Sequence, residues 1–333
     1  VLKKTAKAGY WKSLNKCHSE PFDRLRTGSA KDLEILRRLP LLRMTYSDTF
    51  SAACKAYEVD KVKPKTKELK LAVLISGGGT NLQAMIDQIE AGKLDAEISL
   101  VVSNNPDAYG LVRAHKHGIP TAVVDYRNYG KRILAKVVKS TLPKEFDEVV
   151  NRQGIYSGLP DGEVRDRLAR LVLAELEVLA LLKPLNPDLI CLAGFMRLIS
   201  PYFIAHYNTE DRYGIMNIHP ALLPAFPGTD GYGATFSYGC RFGGVTVHFI
   251  DEGEDTGPVI AQAIYPIWPE DTLEVVRRRG LELEYAIYSQ CIQWMAQGDL
   301  KLVRGEDGRP QVRILDPEYP AFLEQLTRKA FER

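Results

Sequence analysis

Asn217 and His219 stand two residues apart in IMNIH, an apolar run read as a strand, so both side chains leave the same face. Pro220 ends the run and sets both polar groups at its carboxyl end, the edge where ligands bind in open α/β sheets. An amide and an imidazole placed there can hydrogen-bond to an oxygen that gains negative charge during a reaction. A lone histidine at a strand end is more often structural. Its pairing with Asn217 and the apolar, proline-framed ALLPAFP that follows favour chemistry. Further along, GVTVHFIDEGEDTGP places Asp251, Glu252, Glu254 and Asp255 between a strand and Gly257-Pro258. That acidic turn has three readings: a solvated loop, a metal site, or one carboxylate set against His219. No spacing in it matches a calcium loop. A carboxylate beside the imidazole would favour the protonated ring and make it a competent acid at neutral pH.

A second constellation is Ser76-Gly77-Gly78-Gly79-Thr80-Asn81, where a strand passes into a helix. Glycines let backbone N–H groups turn towards a ligand with no Cβ in the way. The helix start adds unsatisfied donors and partial positive charge, so an anion is favoured. Thr80 and Asn81 add a hydroxyl and an amide. The bland alternative is a tight βα turn without a ligand. The spacing is neither G-x-G-x-x-G nor G-x-x-x-x-G-K-[ST], which argues against dinucleotide and ATP sites.

The elements that must position these groups are legible from Leu69 onward. LKLAVLIS, ISLVVSN, the run 121–125 and DLICLAG read as strands; 81–90, 111–117 and 163–182 have helical spacing. Such alternation means βαβ units and a mostly parallel sheet with helices on both faces, an α/β fold. After Gly214, IMNIH, GGVTVHFID and PVIAQAIYPI are strand-like with few helices between, which gives mixed strands in the C-terminal half, and 272–297 reads as one long helix. Residues 127–162 are polar and glycine-containing, an inserted excursion in a domain spanning 69–305; 306–333 reads as a C-terminal tail. Residues 1–68 lack sustained periodicity beyond a helix-like stretch at 30–39, and VKPKTK reads as a linker. They are expected to be a basic, dispensable and poorly ordered extension. The chain begins with Val1, and Met44 is a conceivable later start.

Bulk properties exclude several classes. Hydrophobic residues are 45% and charged residues 26% of 333, ordinary for a globular protein. No apolar run reaches the roughly 18 residues of a membrane helix, and no secretory h-region follows the N-terminal lysines. The five cysteines are odd in number and far apart with no C-x-x-C pair, which argues against a disulfide framework or zinc site and fits a reducing cytoplasm. Residues 1–70 carry 17 Lys and Arg against 8 Asp and Glu, whereas the rest carry 27 against 34. A basic arm can attract nucleic acid, but this one lacks the basic-aromatic interleaving of a recognition element.

ISGGGTNLQAMI, LAGFMRLISP, MNIHPALLPAFPG and GGVTVHFIDEGEDTGPVIAQ occur in this order over residues 70–303. Together they resemble the phosphoribosylglycinamide formyltransferase family, folate-dependent enzymes of purine synthesis. The resemblance implies a Rossmann-like formyltransferase fold. It implies transfer of the formyl group of 10-formyltetrahydrofolate to the amine of 5-phosphoribosylglycinamide, with no metal and no covalent enzyme intermediate. It assigns catalysis to Asn217, His219 and Asp255, and the ribonucleotide and its phosphate to Gly79, Thr80, Asn81 and Glu284. Folate falls to Met196, Arg197, Leu198 and Ile199, with Asn217 and with Asp251 in the loop 251–255; Phe195, Met196 and Leu198 also read as core packing. His248 matches a family histidine near the site. The implied protein is a cytoplasmic monomer or homodimer acting on small molecules. Two departures stand out. The family histidine near Thr229, Asp230 and Gly231 is absent, and Arg132 and Arg170 compete for a folate-contacting arginine. Two rivals remain: formyltetrahydrofolate deformylase, a hydrolase with the same trio, and a non-enzymatic folate or nucleotide sensor. Methionyl-tRNA formyltransferase fits less well, since too little chain follows Val303 for its RNA-binding domain.

Overall fold

The computed structural model describes residues 68–130 and 141–332. The elements run β1 (Leu69–Ile75), α1 (Thr80–Glu90), β2 (Ala96–Ser103), α2 (Tyr109–Lys116), β3 (Thr121–Val123), α3 (Phe146–Arg152), α4 (Asp161–Leu182), β4 (Leu189–Leu192), α5 (Pro201–Ile204) and β5 (Ile215–His219). There follow α6 (Gly231–Tyr238), β6 (Phe242–Phe249), β7 (Val259–Pro266), α7 (Leu273–Gln297), β8 (Leu300–Arg304), β9 (Pro310–Ile314) and α8 (Tyr319–Phe331).

β1 is apolar along most of its length because both its faces are covered. Leu71, Val73 and Ile75 pack with Leu82, Met85 and Ile86 of α1; Ala72 and Leu74 pack with Ala174, Val178 and Leu182 of α4. That two-sided burial is what a parallel strand requires. The seven-stranded sheet has the order β3-β2-β1-β4-β5-β6-β7. β1 to β5 pair in parallel, and β6 and β7 join antiparallel, the mixed half expected from sequence. The chain moves outward from β1 to β3 and returns to β4 on the other side of β1. The carboxyl ends of β1 and β4 therefore flank a topological switch point, where such sheets form their crevice.

The long helix α7 starts at Thr272, whose side chain accepts from Val275 N, and stops at Gly298 with φ 74°. It lays Leu283, Ile287, Cys291 and Trp294 on the sheet. Within residues 306–332, β9 and α8 pack onto the domain. β9 pairs with β8, and the Trp294 indole donates to Asp316 at 2.7 Å. Tyr319 and Phe322 meet the Trp294 ring edge-on, and Leu326 and Ala330 of α8 complete the same core. Charged residues interleaved in β8 and β9 had diluted the alternation that marks a strand pair. In the described part of the excursion, Phe146, Val149 and Ile155 form a small apolar cluster with Val164, Leu168 and Val172 of α4. The expected helix at 30–39, the linker, Arg132, Cys17 and Cys54 lie outside the described residues.

Candidate active site

β5 carries Asn217 and His219 to the sheet's carboxyl edge. His219 is 2% exposed, and each ring nitrogen faces an acceptor: Nε2 lies 2.8 Å from the Phe226 carbonyl and Nδ1 3.3 Å from Asp255 Oδ2. A carbonyl can only accept, so Nε2 is the donor in the first contact, while the Nδ1 edge of the ring faces a carboxylate. Both partners sit at left-handed backbone, φ 54° at Phe226 and at Asp255. That is a costly conformation for residues with a Cβ and is typical of functional turns. Asp255 Oδ2 is itself fixed by the Gly228 N–H at 2.8 Å. The intervening loop is pinned by Thr246, whose hydroxyl donates to the Ala221 carbonyl and accepts from Leu223 N.

Across the β5–β6 pair, Asn217 stands opposite His248, and its Nδ2 lies 3.2 Å from His248 Nε2. The register shift opposite Val247 and His248, which face Ala261 and Val259, leaves Ile260 of β7 as the extra residue of a bulge beside the site. His248 is fully buried and its pKa lies below the usual histidine value, chiefly because burial penalises the charged ring. Its Nδ1–H donates to the Phe249 carbonyl, so a neutral Nε2 accepts from the Asn217 amide. Asp255 Oδ1, 3.6 Å from that Nε2, is a neighbour of the neutral ring rather than its ion-pair partner.

The glycine loop after β1 leads into α1 with Gly79, not Thr80, at the N-cap. Gly79 has φ 67°, and a Cβ there would fall 2.6 Å from the Gly110 Cα of α2. Arg113 of α2 donates to the Gly78 carbonyl at 2.9 Å. Asn81 Nδ2 donates to Glu284 Oε2 at 2.6 Å, and the Tyr232 hydroxyl donates to Glu284 Oε1. Glu284 is buried, and that burial holds its pKa above the ordinary carboxylate range against these two hydrogen bonds.

Ser76 joins this loop to the one after β4. Its Oγ accepts from Met196 N at 2.7 Å and is bonded to Asn104, whose amide in its satisfied orientation also accepts from Arg197 Nε. The far end of the β4 loop is held by Glu175 of α4. This fully buried carboxylate accepts from Ser200 N at 2.8 Å and from the Ser200 hydroxyl, and burial pushes its pKa up to about 8.

These groups line one cleft of about 600 Å³, within the range of small-molecule sites. Gly79, Thr80, Asn81, Met196, Arg197, Leu198, Ile199, Asn217, His219, Asp255 and Glu284 are all on its wall. Asp251 is not. Its Oδ1 accepts from Gly253 N and from the Thr256 hydroxyl, so it shapes the acidic turn instead of facing the cleft. Met196, Arg197 and Leu198 also border a second hollow lined by Tyr126, Arg127, Tyr156, Arg167 and Arg170. Among the described residues, no group of three or more His, Cys, Asp or Glu could hold a metal ion, and no helix is long and apolar enough to cross a membrane.

Residues 69–292 match the family described as formyl transferase. The chain belongs to the formyl transferase family. It is 37% identical over 233 residues to the phosphoribosylglycinamide formyltransferase of Haemophilus influenzae, across 70% of this chain and 90% of that protein. It is 36% identical over 247 residues to the trifunctional purine biosynthetic protein adenosine-3 of Gallus gallus, across 74% of this chain and 20% of that protein. The solved structure of glycinamide ribonucleotide transformylase 1 from Symbiobacterium toebii superposes with a TM-score of 0.55 at 32% identity, across 75% of this chain and 95% of that one.

Two arginines of this formyl transferase, one on the cleft and one on the second hollow, escaped sequence reasoning. Arg277 of α7 lines the cleft beside Glu284 and pairs with Asp230 at 3.4 Å. Only the helical spacing of Arg277 to Gly280 and Glu284 could have pointed to it. Arg127 borders the second hollow with Arg170 and makes a bidentate pair with Asp125. The YRNY run just after β3 was its available signal. The segment lacking the family histidine begins α6, with Asp230 as its cap and Tyr232 turned to Glu284.

Proposed function

We propose that this protein transfers the formyl group of 10-formyltetrahydrofolate to the amine of 5-phosphoribosylglycinamide, in de novo purine synthesis. One observation carries the reading: a single cleft joins the glycine-loop anion site to the cluster of Asn217, His219 and Asp255. The named relatives support the same acceptor. Backbone N–H groups of residues 77–81, with Arg277 nearby, suit a phosphate. Glu284 suits hydroxyl donors of the sugar. The apolar β4 loop suits a flat pterin ring, and the arginines of the second hollow suit the carboxylates of a folate tail.

The chemistry follows from donors already in place. As the acceptor amine adds to the formyl carbon, negative charge gathers on the formyl oxygen. The second Nδ2 hydrogen of Asn217, the one not given to His248, is available to that oxygen. His219 Nε2–H supplies the other donor once it leaves the Phe226 carbonyl, with Asp255 beside Nδ1 orienting the ring. The carbon–nitrogen bond to folate then breaks; the amine loses a proton to the Asp255–His219 pair, and the departing folate nitrogen regains one. A hydrolase passing the formyl group to water would have no use for the anion loop, which favours a transferase.

The protein acts on small molecules in this reading. Its described cysteines, Cys191, Cys240 and Cys291, are free thiols, in keeping with a cytoplasmic setting. The test is an assay with 10-formyltetrahydrofolate in the presence and absence of 5-phosphoribosylglycinamide. Folate deformylation that requires the ribonucleotide, with formylated product, is expected. Deformylation without an acceptor would establish a hydrolase, and no turnover in either case would favour a sensor.

A further inference from the structure

The floor of the cleft contains an arrangement that neither the family trio nor the glycine loop explains. Both oxygens of Glu284 are engaged from below, one by Asn81 of α1 and one by Tyr232 of α6. Each carboxylate oxygen can accept two hydrogen bonds, so each keeps acceptor capacity on the cleft side. One turn earlier on the same face of α7 stands Gly280, a residue that weakens a helix interior. A Cβ there would fall 2.3 Å from Tyr232 Cε1 and 2.6 Å from its hydroxyl oxygen. The glycine therefore makes room for the tyrosine ring. The start of α6 is pinned as well: Asp230 Oδ1 accepts from Gly233 N at 3.2 Å and from Arg277 at 3.4 Å.

We propose that Tyr232 is a positioning residue for the acceptor: seated in the space left by Gly280, it fixes one oxygen of Glu284 so that the rest of that carboxylate meets the hydroxyl groups of the ribonucleotide. The proposal rests on the ribonucleotide reading above. Glu284 faces Asn81 from α1, Tyr232 from α6 and Tyr265 from β7, with Arg277 on its own helix at the cleft wall. Removing the Tyr232 donor leaves the carboxylate less stabilised, so it takes up a proton at higher pH than in the wild type.

The test compares wild type, Tyr232→Phe, Glu284→Gln and the double variant in steady-state formyl transfer from neutral to acid pH. Tyr232→Phe keeps the ring and is expected to raise KM for the ribonucleotide roughly tenfold, the loss of about one good hydrogen bond. Its kcat should stay within about threefold, since the hydrogen bonds of Glu284 run to Asn81 and Tyr232 and not to Asn217 or His219. The acid limb of kcat/KM should move to higher pH, and the Phe change should add little in the Glu284→Gln background. Gly280→Ala, which retains the hydroxyl but displaces the ring, should raise the same KM. An unchanged KM, a fall in kcat alone, or additive effects in the double variant would overturn the proposal while leaving the function standing. A wild-type chain that does not formylate the ribonucleotide would overturn both.

Discussion

Asn217 and His248 face each other across β5 and β6, and the amide nitrogen of the first lies 3.2 Å from Nε2 of the second. Because burial keeps His248 neutral and its Nδ1–H is committed to the Phe249 carbonyl, the imidazole can only accept from the amide. The amide nitrogen of Asn217 is thereby held in place, with one hydrogen left for a substrate oxygen.

This arrangement carries a pH dependence. The pKa of His248 is lowered from 6.5, so its contribution to stability is full above that value and is lost as pH falls through the folded-state ionisation. Protonation also removes the acceptor for Asn217, so kcat should fall over the same acid range. His248→Phe should abolish that inflection and lower kcat on the order of tenfold at neutral pH. Asn217→Ala should lower it about 10²–10³-fold with little change in KM for folate. Initial rates across pH read both; an unaltered acid limb in His248→Phe would refute the assignment.

Asp255 is expected to act through His219. Asparagine tolerates the φ of 54° at this position, so Asp255→Asn removes charge with little backbone penalty. It should reduce kcat by roughly 10²–10⁴-fold while leaving both KM values within a few-fold. A variant with near-normal kcat would show that the anionic partner is dispensable.

The close approach of Gly79 in the glycine loop to Gly110 of α2 should not tolerate even one added methyl group. A Cβ at Gly110 would lie 2.5 Å from Ile75 Cδ1 and 3.2 Å from the Gly79 Cα. Gly110→Ala should therefore push the loop out of register with its anion and raise KM for the ribonucleotide about tenfold or more, with KM for folate affected less. Equal losses for both substrates would point to a general folding defect instead.

Glu175 should leave a signature at alkaline pH. Its pKa is raised from 4.5 to about 8, so the stability it contributes is full below 4.5 and declines as pH rises through about 8. Glu175→Gln lacks this decline. Its Tm relative to wild type should improve by roughly several degrees from acid to alkaline pH, measured by calorimetric or fluorescence melting. A constant difference across pH would mean that Glu175 does not ionise in this range.

Much of the positioning framework was legible from residue order alone. β1, β2, β4, β5, β6 and β7 are apolar, β-branched runs ended by glycine, proline or asparagine, and two-sided burial gives such runs an unambiguous pattern. Asn217, His219 and the glycine loop were visible because each sits at a strand end, within a few residues of its own signal. What escaped notice depends on long-range contact. Arg277 and Tyr232 reach the cleft only once α7 and α6 lie together, and no local pattern encodes that. The bonding of Asp251 to its own turn was not legible because an acidic turn looks alike whether its carboxylates face a cleft or cap their own backbone. The β8–β9 hairpin was hidden by charge at its exposed positions.

Ser76 has a consequence for how the cleft can move. Its side chain ties the backbone after β4 to the backbone after β1, so the surfaces proposed for the ribonucleotide phosphate and for the pterin belong to one stiff jaw. Opening of the cleft would then fall to the opposite side, the turns that hold Gly228 and Asp255. Those turns are joined to each other by the Gly228–Asp255 hydrogen bond and carry the partners of His219. A movement of those turns that opened the cleft would therefore carry both partners of His219 away together.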